Sequence, residues 1–118
     1  MKKYCLTLDL KNDPELMIQY VEHHEHVWPE VLESIESSGI IQMEIFHVND
    51  RLFMILETTD DFSFETKATN DLKNSKVQEW EKLMDQYQRR LPFAKPDEKW
   101  VLMKKIFDFN KAKDEIKL

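Results

Sequence analysis

Apolar and polar residues alternate over the first ten positions of the chain. One side of the pattern is formed by Tyr4, Leu6, Leu8 and Leu10, and the other by Cys5, Thr7 and Asp9. This period of two predicts a half-buried strand over residues 3–10. Asp13 and Pro14 suit the N-cap and the first position of a helix. Gly39 suits the residue after its end, so one helix is predicted between them.

Two apolar runs, residues 40–48 and 51–58, flank the dipeptide Asn49-Asp50 and predict a β-hairpin. The polar segment 60–75 predicts a loop with a short helix. A second long helix is predicted over 76–91, because one of its faces would carry Val77, Trp80, Met84, Tyr87 and Leu91. Residues 91–99 contain two prolines and predict a loop, 100–109 predicts the last strand, and 110–118 is a charged tail.

The resulting order βαββαβ predicts an α+β domain of the ferredoxin-like type over residues 1–109. Helices would cover one face of its sheet and leave the other face open. The predicted strands 40–48 and 100–109 carry apolar or bulky residues on both alternations. A second copy of the chain would cover them, so we expect a homodimer built sheet to sheet or strand to strand.

Composition narrows the functional classes. The chain has 118 residues, a net charge of −6 and no long basic run, so nucleic acid or an anionic membrane is not expected as the main partner. Its single glycine excludes phosphate-binding loops such as GxGxxG. The single cysteine, the lack of a signal-peptide pattern and the lack of an apolar run long enough for a membrane span predict a cytoplasmic protein.

Three of the four histidines lie in YVEHHEHVWPE, residues 20–30, on the first predicted helix. At about 100° per residue, the apolar side chains of this helix fall in one arc of roughly 160°. His24 lies near the middle of the arc, His23 at its edge and His26 on the solvent side. Positions after Pro29 are less regular, because proline can kink a helix.

Two interpretations of His24 follow from this placement. Tyr20 lies one turn before it and Trp28 one turn after it on the same face. The three side chains either line a pocket or belong to the core. A zinc site is the rival interpretation of a histidine-rich stretch. We expect no metal, because His23 and His26 point in different directions and no second ligand pair is visible.

Outside this helix, three residues are worth singling out. Trp80 lies at the centre of the apolar face of the second helix, which is more typical of a core residue than of a ligand platform. Glu81 lies at the flank of that face, where a carboxylate reaches either a cleft or water. His47 lies near a strand end, where a structural role is favoured over a role in a pocket.

The motif formed by Tyr20, His24 and the tripeptide Trp28-Pro29-Glu30 resembles the signature of the L-rhamnose mutarotase family. The stretch VQEWEKLM, residues 77–84, is similar to the family's segment around a tryptophan pair, and the similarity covers residues 3 to about 109. The resemblance implies a dimeric α+β barrel. It also implies an enzyme that interconverts the α and β anomers of a 6-deoxy-L-hexose, either L-rhamnose or L-fucose, without a cofactor.

The resemblance also implies roles for individual residues. His24 takes the position of the family's proton-transferring histidine, Tyr20 that of a substrate-contacting tyrosine, and Trp80 the first position of the tryptophan pair. Glu81 stands where the family has the second tryptophan, and Met43 where it has a substrate-contacting tyrosine. Both departures concern the sugar pocket, so they leave the proton transfer intact and the choice of sugar open.

Mutarotation opens the hemiacetal ring and closes it on the other face of the carbonyl group. Imidazole, with a pKa near 6.5, suits a proton transfer in either direction, and the reaction requires no metal or redox centre. Trp28 or Trp80 would stack on the apolar face of the sugar. Two alternatives stay open, since one fold hosts several functions: a cofactor-free or haem-related monooxygenase of the same fold, and a non-catalytic sugar-binding dimer.

Overall fold

The computed structural model describes residues 1–117. The elements in chain order are β1 (Lys2–Leu10), α1 (Pro14–His23), α2 (Pro29–Ser37), β2 (Ile40–Val48), β3 (Arg51–Thr58), α3 (Phe64–Leu72), α4 (Ser75–Asp85), β4 (Gln88–Arg89), β5 (Val101–Leu102) and α5 (Phe109–Glu115). The strands form one antiparallel sheet in the order β2-β3-β1-β4, and β5 also pairs with β1. The short β4 and β5 together occupy the place of the last strand in the predicted arrangement, and the α+β fold class is confirmed.

Local sequence signals explain several element boundaries. The carboxylate of Asp13 accepts hydrogen bonds from the backbone N–H groups of Glu15 and Leu16, at 3.0 and 3.3 Å, and so caps α1 as predicted. Asn49 has φ +53° in the hairpin turn between β2 and β3. Gly39 has φ +97° directly after the C-cap of α2, a conformation that glycine adopts without strain.

The prediction of one helix between Pro14 and Gly39 is wrong, because α1 ends at His23 and α2 begins at Pro29. Pro29 supplies the physical reason. A proline disfavours the α conformation in the residue before it, and Trp28 is extended, with φ −62° and ψ 139°. The same ring suits the first position of a helix, so α2 starts there.

The helix predicted over 76–91 is also too long, since α4 ends at Asp85. Tyr87 and Leu91 are nevertheless buried, as are the other members of the predicted apolar face, so this part of the core is confirmed. After the helix the chain forms β4, in which Gln88 lies opposite Leu10 of β1. The free edge of β1 thus pairs with residues that the apolar pattern assigns to a helix.

Only Val101 and Leu102 of the strand predicted over 100–109 lie in the sheet. Beyond them, Met103 N donates a hydrogen bond to the Cys5 carbonyl of β1, 2.7 Å away. The chain then leaves the sheet, and α5 takes up most of the predicted tail, whose final residue, Leu118, lies outside the described residues. We refer to residues 103–117 as the C-terminal arm.

Helices α1, α2 and α4 cover one face of the sheet, and α3 packs against α4. Two core clusters lie between them and the strands. The first contains Leu10, Tyr20, Val31, Leu52, Trp80, Met84 and Tyr87, and the second contains Leu6, Ile40, Met54, Leu56 and Phe62. On the opposite face Phe46 and Val48 are exposed. No helix within residues 1–117 has the length and apolar character that crossing a membrane requires.

Candidate active site

His24 lies at the C-terminal end of α1, as its C-cap residue, and is half-buried. Its backbone N–H bonds to the Val21 carbonyl, 3.1 Å away, in the tight geometry of a helix end. The imidazole Nδ1–H donates a hydrogen bond to the Tyr20 carbonyl oxygen, 2.8 Å away. A carbonyl oxygen can only accept, so Nδ1 carries the hydrogen, and the neutral ring presents its lone pair at Nε2.

Aromatic rings surround this imidazole. The ring of Tyr20 lies 4.5 Å from it and that of Trp80 lies 5.7 Å from it, measured between centroids. Trp28 packs edge-on against Trp80 at 5.2 Å. Burial among these groups is the main reason that the pKa of His24 is lowered from its ordinary value, and the neighbouring His23 adds to the effect. The bond to the Tyr20 carbonyl acts in the opposite direction.

Tyr20 is the most enclosed member of the group, with only 3% of its surface exposed. Its hydroxyl oxygen accepts a hydrogen bond from Gln88 Nε2, 3.1 Å away. Burial raises the pKa of Tyr20 to about 12, against the effect of the Gln88 bond, and the negative charge of Glu81 raises it further. The phenol therefore keeps its proton at neutral pH and is available as a hydrogen-bond donor.

Tyr20, His24, Trp28 and Trp80 therefore lie together, as the motif suggests, although not on one continuous helix. Tyr20 is on α1, His24 caps it, Trp28 precedes α2, and Trp80 comes from α4. The break between α1 and α2 lets residues on both sides of it pack on the same tryptophan.

The two positions that depart from the family pattern are placed differently. Glu81 influences Tyr20 through its charge, and its carboxylate also binds Lys99 Nζ at 2.5 Å. Lys99 bonds Asp85 as well, at 2.7 Å, and so ties the loop before β5 to α4. Met43 packs against the second core cluster and not the first. Ile45, two residues along β2, contacts both clusters. Met43 therefore lies on the helix-covered face of the sheet, as His24 does, but further from His24 than Ile45.

The remaining histidines have distinct surroundings. His23 Nε2 lies 3.0 Å from the buried Tyr87 hydroxyl, so this residue belongs to the same group. His26 is exposed, as predicted. His47 is exposed and bonds to the Asn49 carbonyl within its own hairpin, which supports the structural interpretation. No three His, Cys, Asp or Glu side chains of residues 1–117 are grouped so that they could hold a metal ion.

Tyr87 and Gln88 are the site residues that sequence patterns missed. The sequence predicts Tyr87 as a core residue of the second helix and singles out no role for Gln88. No glycine or proline marks the end of α4 at Asp85, so nothing in the local sequence indicates that Gln88 turns inward.

Two grooves, of about 420 and 530 Å³, lie elsewhere on the surface. The first is lined by polar residues of α2 and α3, and the second runs between α2 and β2 and includes Met43. Neither is lined by Tyr20, His24 or Trp80. The aromatic group is packed closely, so a ligand would reach the imidazole from its half-exposed side.

Comparison with known proteins shows which proteins the chain is similar to. Residues 3–109 match the family model of L-rhamnose mutarotase. A protein of Xanthomonas campestris pv. campestris named L-fucose mutarotase is 39% identical over 114 residues, which cover 95% of this chain and 91% of that protein. A UPF0734 protein of Dictyostelium discoideum is 34% identical over 119 residues, covering 97% of this chain and 94% of that protein.

Solved structures share the fold. A crystal structure of an L-rhamnose mutarotase from Formosa agariphila superposes with a TM-score of 0.67 at 18% identity, covering 92% of this chain and 98% of that one. The tetracenomycin F2 cyclase of Streptomyces glaucescens superposes with a TM-score of 0.57 at 17% identity, covering 92% and 96%. At these identities the two structures show the fold alone. The family match and the two sequence relatives span nearly the whole chain, and the chain therefore belongs to the L-rhamnose mutarotase family.

Proposed function

We propose that this protein is a sugar mutarotase that interconverts the α and β anomers of a 6-deoxy-L-hexose, either L-rhamnose or L-fucose. The observation that carries the proposal is the imidazole of His24, which is held through Nδ1 by the Tyr20 carbonyl with Nε2 left as a base. The family membership of the chain and the name of its Xanthomonas relative support the same reaction.

The proposed mechanism needs one proton to move between two oxygens. His24 Nε2 takes the proton of the anomeric hydroxyl and returns it to the ring oxygen as the bond between that oxygen and the anomeric carbon breaks. The open-chain aldehyde then rotates, and the reverse transfers close the ring on the other carbonyl face. Both oxygens are attached to the same carbon, so a single imidazole can serve both in turn.

The surrounding residues take supporting parts in this mechanism. Tyr20, a phenol that stays protonated, holds the sugar as a hydrogen-bond donor. Trp80 and Trp28 offer aromatic surface to the apolar face of the sugar and its methyl group. Glu81 accepts hydrogen bonds from sugar hydroxyls once a ligand competes with Lys99. Met43 packs in the second core cluster, so a contact with the sugar would require a ligand that extends along β2 from His24.

The alternative of a monooxygenase is not favoured, because the family and the named relative are sugar mutarotases by description. The alternative of a non-catalytic sugar-binding dimer predicts binding without faster anomer exchange. The same experiment therefore separates it from the proposal.

The test is anomer exchange on L-rhamnose and L-fucose, followed by saturation-transfer NMR with and without the protein. We expect the wild-type protein to accelerate exchange of at least one of the two sugars. His24→Ala should reduce that acceleration by about 10²–10⁴-fold. His26→Ala, at an exposed histidine two positions away, is the matched control and should have no effect. Equal rates in the His24→Ala variant and the wild type would refute the assignment.

We also propose a homodimer located in the cytoplasm. The C-terminal arm supports the dimer, since Ile106 and Phe107 are 92% and 69% exposed and the sheet face carries exposed Phe46 and Val48. Burying these apolar groups against a second copy would remove them from water.

The single free cysteine, Cys5, supports a reducing compartment and so the proposed location in the cytoplasm. Cell fractionation with an antibody against the protein tests this location.

A further inference from the structure

A buried carboxamide lies behind Tyr20 in the candidate site. Gln88 stands opposite Leu10 in the pairing of β4 with β1, so its side chain points to the same, helix-covered face of the sheet. The residue is 9% exposed, and its Nε2 donates to the Tyr20 hydroxyl oxygen. This bond joins residues 68 positions apart in the sequence, from opposite sides of the core.

The other half of this carboxamide is unpaired. Among residues 1–117, Gln88 Oε1 is the one buried side-chain oxygen or nitrogen that has no hydrogen-bond partner. Exchanging the amide oxygen and nitrogen would make the Tyr20 hydroxyl the donor and the Gln88 oxygen the acceptor. With Nε2 on Tyr20, as the structure has it, the carbonyl half of Gln88 is unsatisfied. Native proteins keep few such groups, and each one calls for a physical explanation.

Tyr20 has the complementary requirement. Because its hydroxyl oxygen accepts from Gln88 Nε2, its own proton points away from that nitrogen and is free to be donated. A free O–H donor and an unpaired carbonyl acceptor thus belong to two side chains that are hydrogen-bonded to each other. A single hydroxyl group, which both donates and accepts, would satisfy the two together.

We propose that Gln88 is a specificity-determining residue whose Oε1 accepts a hydrogen bond from one hydroxyl of the bound 6-deoxy sugar while its Nε2 holds Tyr20 as the donor to that same hydroxyl. This inference rests on the proposed mutarotase function. Tyr20 and Gln88 are almost fully buried, so the proposal requires neighbouring side chains to move aside when the sugar binds at the half-exposed His24.

A comparison of variant and wild type on a series of substrate analogues tests the proposal. The value of kcat/KM for anomer exchange is measured for the preferred sugar and for its monodeoxy analogues, each lacking one hydroxyl. We expect Gln88→Met to lower the value for the parent sugar by roughly 10- to 100-fold. For the one analogue that lacks the bonded hydroxyl, kcat/KM should be the same for the variant and the wild type. Gln86→Met, at an exposed glutamine two positions away, is the matched control and should leave kcat/KM unchanged for every sugar.

A loss of equal size for every sugar would mean that Gln88 only supports the fold or Tyr20, and it would overturn the proposal. If Gln88→Met does not fold, the wild-type protein supplies the second measurement. The NMR signals of the Gln88 side-chain amide should shift on saturation with the sugar, and those of Gln86 should not. Unchanged Gln88 signals at saturation would overturn the proposal.

The same titration separates this inference from the proposed function. A protein that binds the sugar without accelerating exchange would refute the mutarotase, while the Gln88 signals would still report the contact. A protein that binds neither L-rhamnose nor L-fucose would refute both.

Discussion

His24 and Tyr20 contact each other twice, through a 2.8 Å bond between the imidazole Nδ1 and the Tyr20 carbonyl and through rings whose centroids lie 4.5 Å apart. The end of α1 makes this possible. In a continuing helix the Tyr20 carbonyl would accept the backbone N–H of His24, but that N–H bonds to Val21 instead. The helix terminus thus supplies the acceptor that sets the imidazole tautomer.

The first prediction concerns pH. Burial lowers the pKa of His24 below its ordinary value near 6.5, and the proposed mechanism needs the neutral ring. The enzymatic exchange rate should be flat above pH 6.5 and fall as the pH drops through the lowered pKa. Saturation-transfer NMR after subtraction of the uncatalysed rate measures this, and an acid limb that begins above pH 6.5 would contradict it.

The same shift links His24 to stability. The unfolded chain binds the His24 proton at a higher pH than the native state does. The free energy of unfolding should therefore rise with pH between the lowered pKa and about 6.5. Below this window the contribution is lost. Thermal unfolding should show a weaker pH dependence for His24→Gln than for the wild type, and identical slopes would argue against the shift.

A second prediction concerns the Tyr20–Gln88 hydrogen bond. Tyr20→Phe leaves the whole Gln88 carboxamide buried and unpaired, so it should lower the free energy of unfolding by about 1–3 kcal/mol. In a Gln88→Met background the same change should cost clearly less, because no polar group is stranded. Urea unfolding of the four proteins in this cycle measures the coupling. Strictly additive effects would show that the bond contributes nothing.

A third prediction concerns Gly39. Its φ of +97° is unfavourable for any residue with a Cβ, and a Cβ at this position would lie 2.7 Å from Thr59 Oγ1. Gly39→Ala should therefore destabilise the fold by more than about 1 kcal/mol. Adding Thr59→Ala should recover the steric part of the loss and leave the backbone strain. Ser37→Ala, at an exposed position in the last turn of α2, is the control for the substitution itself.

A fourth prediction concerns the C-terminal arm. If the arm packs on a second copy, Ile106→Lys places a charge in that interface and should shift the mass in solution from dimer towards monomer. Leu72→Lys, at a residue on α3 that is 73% exposed, should leave the mass unchanged. Light scattering at micromolar concentration distinguishes the two. A wild-type protein that is already monomeric at this concentration would contradict the proposed homodimer.

Several features of this protein follow from short stretches of its sequence. The alternation in β1, the Asp13-Pro14 cap, the Asn49-Asp50 turn and the position of Gly39 each act through neighbours a few residues away. The apolar face of the helix predicted over 76–91, which contains α4, correctly predicts that Trp80 is buried. Local signals of this kind are strong because φ and ψ preferences and side-chain periodicity operate within one element.

The break between α1 and α2, the inward turn of Gln88 and the departure of the C-terminal arm from the sheet have another origin. Pro29 explains locally where α2 begins, but the packing of Trp28 and His24 on the same Trp80 depends on α4, far away in the sequence. Gln88 leaves the helical pattern because β1 offers an unpaired edge, and backbone hydrogen bonds to that edge outweigh one more helical turn. Such outcomes depend on partners far away in the chain, and for this reason the surroundings of His24 emerge only when the elements are packed together.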